Sequence, residues 1–331
     1  MASERGPGVT GGGSTAAWGA PPARADRAAS TGGIDGRPAP GGGPVASVRG
    51  TDAPGRPFVV DGVGAGWRPE IAGWVADVPD LGFCEVIAES IAPAGPPRGV
   101  VDLRARGVPV IPHGIRLSLG GAEPLDPARV TQLAACADAL GAPLVSEHIA
   151  FVRAGGREAG HLLPVPRTRE ALDVLTANVA RLSAELTVPV ALEVIAALFD
   201  WPDDELTEPE FLAAVGDRTG ALLLLDVANV YANAVNRAQD PRAVLDAILD
   251  LVPAERIGYV HVAGGGVRHD EPDGLYHDTH TDPVPDAVLG LLAHLVERAP
   301  GVPVLLERDG GYPPAAVLTA ELAAIAAAAR P

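Results

Sequence analysis

The 331-residue chain contains no lysine; all 25 of its basic residues are arginine. Schiff-base catalysis through a lysine amine is therefore excluded. Cysteine is nearly absent as well. Cys84 and Cys136 form no Cys-x-x-Cys pair, so no disulfide framework is indicated. Cys84 lies in GFCEVI (82–87) and Cys136 in an alanine-rich helical run, and both are expected to be buried, inert thiols. Positive charge is scarce. The formal net charge is −17 with no basic stripe, which argues against a protein that grips a phosphate backbone. A negative field of this kind suits the capture of cations. No apolar run reaches the ~20 residues needed to cross a membrane. No basic segment followed by an apolar core opens the chain, so no secretory signal is expected and the cytoplasm is the expected compartment.

What is present divides in two. Residues 1–56 are rich in Gly, Ala, Pro, Ser and Thr and lack hydrophobic periodicity. Such a segment buries too little apolar surface to offset its ordering entropy, and a disordered tail is expected. Residues 57–331 read as one domain. Apolar runs of strand character fall at 58–63, 83–87, 108–113, 143–147, 188–193, 222–226, 257–262 and 302–307. Near-continuous Val, Ile and Leu suit parallel strands covered on both faces. Helical stretches fall at 126–140, 168–186, 208–218, 240–252, 282–299 and 314–329. Four of these six open on Asp-Pro or Glu-Pro, a strong N-terminal signal. Regular alternation and eight strands predict an α/β fold of the (β/α)8 TIM-barrel type, whose size is typically about 250 residues.

The strand ends carry the chemistry. The runs end in VIPH at His113, LVSEH at His148, VALE at Glu193, LLLLD at Asp226, YVH at His261 and VLLE at Glu307. The segment DTH adds Asp278 and His280. In a barrel all strand C-termini meet at one face, so these side chains are expected to form one metal-binding rim. Imidazoles mixed with carboxylates suit Fe, Mn, Co or Zn. The set is larger than one tetrahedral zinc requires and would serve two or three ions. Glu147 and His148 are adjacent, so inside a strand they point to opposite faces. His148 is the expected ligand, with Glu147 orienting an imidazole N–H.

Other residues are weaker candidates. Asn229, in DVAN, would ligate or bind substrate. Glu85 and Glu89 would hold a ligand or Arg68. Arg116, in HGIRLSLG, and His161, in the loop GHLLP, are candidates for facing substrate. The glycine-rich segment 62–66 reads as a turn after a strand. It lacks the GxGxxG spacing, so no nucleotide cofactor is expected.

Taken in order, HGIRLSLG, VSEH, GHLLP, LE, LDVAN, HVAG, DTH and LLERD resemble one family over roughly 58–325. The chain resembles the multinuclear non-heme iron-dependent oxidative enzymes, whose best-known member acts in methanobactin biosynthesis. The resemblance implies a TIM barrel with two or three iron ions, Fe2+ and Fe3+, and O2 as co-substrate. It implies oxidative modification of residues, often cysteine, in a ribosomally made precursor peptide, with a separate partner protein recruiting the peptide leader. By motif match the ligands would be His113, His148, Glu193, Asp226, His261, Asp278, His280 and Glu307, with Asn229 beside them. Val194, Ala228, Ser90 and Arg308 stand where the family commonly has other residues. Those departures bear on substrate and on the particular oxidation. Three alternatives use the same barrel. They are a divalent-metal sugar isomerase or epimerase, a non-catalytic metal-binding scaffold, and a metal-dependent endonuclease, the last disfavoured by the charge.

Overall fold

A computed structural model of the chain describes residues 59–268 and 274–330. The expected 1–56 tail and His269 lie outside them. Eight parallel strands close into a barrel in chain order, the last pairing with the first. They are β1 Val63–Trp67, β2 Cys84–Ile87, β3 Val110–His113 and β4 Val145–His148. β5 Val190–Glu193, β6 Leu222–Asp226, β7 Ile257–Val262 and β8 Val304–Leu306 complete it. This is the (β/α)8 TIM barrel that the alternation predicts.

The six expected helices form as Pro127–Leu140, Arg169–Ser183, Glu208–Thr219, Pro241–Leu251, Asp286–Arg298 and Ala315–Ala328. Asp126 and Asp240 cap theirs by accepting from Ala128 N at 2.9 Å and Arg242 N at 3.0 Å. A full capping box forms at Thr207 and Glu210, and the Thr168 hydroxyl caps its helix without a reciprocal glutamate. Asp282-Pro283 opens no helix. Asp282 accepts from the Thr279 hydroxyl at 2.5 Å, and the helix starts at Asp286. Three helices escape the apolar pattern: Ala72–Asp77, Arg98–Ala105 and Val227–Asn236.

The first strand is displaced from its expected place. It covers Val63–Trp67, not 58–63, so most of the glycine-rich segment read as a turn is strand. Close approach explains the glycines. A Cβ on Gly64 would lie 2.8 Å from Phe83 O and 3.0 Å from the Phe83 ring. Gly64→Ala is expected to destabilise the fold by about 1–3 kcal/mol, the usual cost of overpacking. Urea unfolding of the two proteins measures it, and equal midpoints would show that β1 shifts freely.

The barrel interior is built in layers. Val60, Phe83, Ile111, Leu144, Ala191, Leu224, Tyr259 and Leu305 form a buried apolar floor. A separate, larger core packs the outer strand faces against the helices. Side chains alternate along a strand, so a residue two places beyond a floor residue also points into the lumen, roughly 7 Å higher. Those positions are Glu85, His113, Ser146, Glu193, Asp226, His261 and Glu307, and all seven are buried. Two antiparallel hairpins, Ala150–Ala154 with Arg157–Pro164 and Gly265–Val267 with Tyr276–Asp278, follow β4 and β7. The segment around His161 is therefore strand, not loop. No helix among the described residues is long and apolar enough to cross a membrane.

Candidate metal centre

The lumenal layer above the floor brings the strand-end residues together. Strand register sets His148 beside Glu193 and Asp226 beside His261. Ligand-type atoms converge to within 4.8 Å in overlapping groups. One group holds His113, His148 and Glu193; a second holds Glu193, Asp226, His261 and Glu307. A third holds Asp226, Asp278 and His280, and a fourth His280, Glu307 and Asp309. Glu193, Asp226 and Glu307 each serve more than one group. His113 Nε2 and His148 Nε2 stand 3.6 and 3.4 Å from the same oxygen, Glu193 Oε2.

Each buried imidazole spends one nitrogen on the protein. His113 Nδ1 is 2.9 Å from Ser146 Oγ, His148 Nδ1 is 3.2 Å from Gly114 O, and His261 Nε2 is 2.9 Å from Glu85 Oε2. The other nitrogen faces the carboxylates. A ligand histidine anchored by its second nitrogen has this arrangement.

The carboxylates are divided in the same way. Asp226 Oδ1 caps the helix Val227–Asn236, accepting from Ala228 N at 2.6 Å and Asn229 N at 3.0 Å. Its Oδ2 has no hydrogen-bond partner. Glu193 Oε2, Asp278 Oδ1, Asn229 Oδ1 and His261 Nδ1 are buried without one too. His261 Nδ1 lies 2.9 Å from Glu307 Oε2 without a hydrogen bond. Buried polar atoms are ordinarily satisfied. Five unsatisfied atoms converging on one lumen fit cations, and the donor set fits borderline-hard metals.

From protein groups alone the electrostatics are unbalanced. Burial pushes Glu193 up to about 8 and Asp226 up to about 6. Burial pulls His148 down to about 4 and His113 well below its ordinary value. Burial also opposes charge on His261 and His280, yet facing carboxylates prevail and hold both well above the ordinary imidazole range. Those two imidazoles in turn hold Glu307 well below the carboxylate range against its burial. Bound cations would supply the charge that the acids lack.

Not every expected residue enters the lumen. Glu147 points to the opposite face of β4 from His148. It accepts from Leu117 N at 2.6 Å and from His148 N, so it anchors the turn after β3 and orients no imidazole N–H. Glu89 does similar work, accepting from Ile115 N at 3.0 Å. Arg116 is half-buried and pairs with Glu158 at 3.8 Å, and His161 is exposed on the first hairpin. Asn229 Nδ2 donates to Val194 O at 3.0 Å and lies 3.4 Å from Glu193 Oε1. Cys84 and Cys136 are buried, and burial raises their thiols to about 12 and about 11.

The site also contains Glu85, a weaker candidate in the sequence, and residues that the sequence does not single out. Asp309 joins His280 and Glu307 and takes Arg68 Nε at 2.8 Å. Glu85 lies in the lumen beneath His261. Asparagines at i, i+4 and i+7 of helix Val227–Asn236 clamp the ligand-bearing loops. Asn233 holds Ile195 O and Ala197 N, and Asn236 holds both backbone groups of Tyr276. Two-residue parity from the floor also points to Glu85, and from Glu307 to Asp309.

Fold and site together define a (β/α)8 barrel with a buried, convergent histidine and carboxylate centre at the C-terminal rim. Residues 62–330 match the sequence model of the family described as RiPP precursor modification enzyme MbnB/TglH/ChrH. The chain belongs to that family. It is 52% identical over 271 residues to the UPF0276 protein of Streptomyces avermitilis, covering 80% of this chain and 54% of that protein. The chain thus spans about half the length of that relative. Against the UPF0276 protein of Caulobacter vibrioides identity is 36%, covering 81% of this chain and 93% of that one. Among solved structures, endonuclease IV from Thermus thermophilus superposes with a TM-score of 0.54 at 22% identity, covering 80% of this chain and 98% of that one. D-allulose 3-epimerase from Methylomonas sp. gives 0.51 at 15%, covering 82% and 96%. These two likenesses show the fold alone.

Proposed function

We propose that the protein is a multinuclear non-heme iron enzyme. It uses O2 to oxidise residues, cysteine among them, of a ribosomally made precursor peptide that a separate protein delivers by its leader. The observation that carries this reading is the sharing of Glu193 between the His113/His148 group and the Asp226/His261/Glu307 group. A carboxylate placed between two donor groups suits paired ions better than one. His113, His148, Glu193, Asp226, Asn229, His261, Asp278, His280 and Glu307 would hold the metal. Iron bound there would supply one-electron and O2 chemistry.

The chain's own residues do the rest. The apolar floor closes the lumen from below and excludes water there. Arg68 neutralises Asp309 and stands 3.6 Å from Glu307, limiting repulsion among the acids. Glu147 and Glu89 hold the turn that carries Arg116 above the centre. The peptide meets the open rim. Arg116 and His161 offer polar contacts there, and Leu198 and Phe199, 43% and 46% exposed on the segment after β5, offer apolar ones.

The test pairs the iron-loaded protein with short cysteine-containing precursor peptides encoded beside its gene, followed by mass spectrometry. The expected result is a mass change on the peptide that requires both iron and O2. Full conversion under anaerobic conditions, or with Mg2+ or Zn2+ in place of iron, would contradict the proposal.

A further inference from the structure

Beneath the metal centre, five buried groups form one hydrogen-bonded chain. His113 Nδ1 lies 2.9 Å from Ser146 Oγ, and Ser146 Oγ lies 2.8 Å from Tyr259 Oη. Tyr259 Oη makes a short hydrogen bond to Glu85 Oε2, and the same oxygen lies 2.9 Å from His261 Nε2. All five residues are at most 2% exposed, so bulk solvent reaches none of these atoms. The chain runs from a residue of the first metal group to a residue of the second.

Counting protons gives the chain one direction. A carboxylate only accepts, and a hydroxyl carries one proton. Tyr259 therefore donates to Glu85. Its oxygen then accepts from the Ser146 hydroxyl, and Ser146 accepts from His113 Nδ1–H. From the other side His261 Nε2–H donates to Glu85. With Glu85 ionised, no other assignment satisfies every member. With both imidazoles neutral, this leaves His113 Nε2 and His261 Nδ1 as bare lone pairs. These are the nitrogens that face Glu193 and, for His261, Glu307.

We propose that Glu85, Tyr259 and Ser146 are positioning residues that lock His113 and His261 in opposite tautomers, so that one binds metal through Nε2 and the other through Nδ1. Glu85 is the common acceptor at which the two halves meet. The inference rests on the reading of this rim as a metal centre, and on nothing about the peptide. Tyr259 Oη touches Glu85 and Ser146, so its removal breaks the chain to His113, while Glu85 keeps its direct bond to His261. Removal of the Glu85 charge should reach both imidazoles. Partners that orient a ligand histidine typically contribute 10–100-fold in metal affinity.

The test uses the full chain, purified anaerobically and stripped of metal. Long-range 1H–15N spectra of the imidazoles, recorded at a pH high enough to neutralise His261, should show His113 protonated at Nδ1 and His261 at Nε2. Titration with Co2+, followed by visible absorption and elemental analysis, should show Tyr259→Phe weakening one cobalt about 10–100-fold with the others unchanged. Glu85→Gln should weaken at least two. Ser146→Ala, a smaller change, should repeat the Tyr259→Phe pattern and guards against a phenylalanine variant that fails to fold. Wild-type cobalt affinity at every site in Tyr259→Phe and Ser146→Ala, or the reverse tautomers, would overturn the inference. Correct tautomers in a wild-type protein that takes up no cobalt would support the hydrogen-bonded chain and sink the metal reading instead.

Discussion

Glu193→Gln is expected to strip the centre of more than one ion while leaving the metal-free fold as stable as before. Glu193 is the carboxylate common to the His113/His148 group and the Asp226/His261/Glu307 group, so both lose a charged ligand together. Glutamine keeps the side-chain volume, so no cavity opens. Burial already raises the Glu193 carboxyl to about 8, so ionising it costs the metal-free fold free energy that glutamine does not demand. The signature lies in ligand linkage. An ion at a hundredfold its Kd stabilises the wild type by about 2.7 kcal/mol. For a chain of this size that is a rise in melting temperature of roughly 5–10 °C. Glu193→Gln should lose that rise, together with activity, and keep the metal-free melting temperature. A metal-dependent rise equal to wild type would show that Glu193 is not shared.

The second large effect separates two jobs of one side chain. Asp226 Oδ1 caps the helix Val227–Asn236, and the unpartnered Oδ2 faces the lumen. Asparagine caps helices about as well as aspartate, whereas alanine costs about 1 kcal/mol or more. Both replacements remove the charged ligand. Asp226→Asn and Asp226→Ala are therefore expected to lose metal equally. Only the alanine variant should lose stability in the metal-free protein, by about 0.5–2 kcal/mol. Chemical denaturation with chelator present, beside elemental analysis, tests the pair. Equal metal-free stability would mean that the cap contributes nothing. Retention of metal by Asp226→Asn would remove Asp226 from the ligand set.

Much of this was legible because barrel strands obey a period of two. An apolar residue, one place, then His, Glu or Asp recurs in Ile111/His113, Ala191/Glu193, Leu224/Asp226, Tyr259/His261 and Leu305/Glu307. The floor and the lumenal layer are that alternation seen in three dimensions. Phe83/Glu85 satisfies the same pattern, Leu144/Ser146 continues it with a hydroxyl in place of the ligand-type group, and both polar members sit in the lumen. Tyr259 reads as an apolar floor residue, yet its hydroxyl joins the site.

What stayed hidden has physical causes. β1 escaped because its register depends on contact between Gly64 and Phe83, and glycine carries no apolar signal. Helix Val227–Asn236 escaped because VANVYANAVN has poor helix propensity, offset by a cap that is itself a ligand candidate. Arg308, one of the departures from the family pattern, lies on the other face of the chain from Glu307. It is buried 3.4 Å from Glu321 of the last helix, so it does not alter the ligand set directly. Val194 contributes its backbone oxygen to Asn229, a contact that its side chain does not decide.

The most direct measurement is a metal count on anaerobically purified protein, by elemental analysis with Mössbauer spectra of an 57Fe-grown sample. Overlapping donor groups joined by Glu193 and Glu307 predict more than one iron per chain, with magnetic coupling between neighbours. A single Zn2+, Mn2+ or Mg2+ per chain that iron reconstitution does not increase would contradict a multinuclear iron centre.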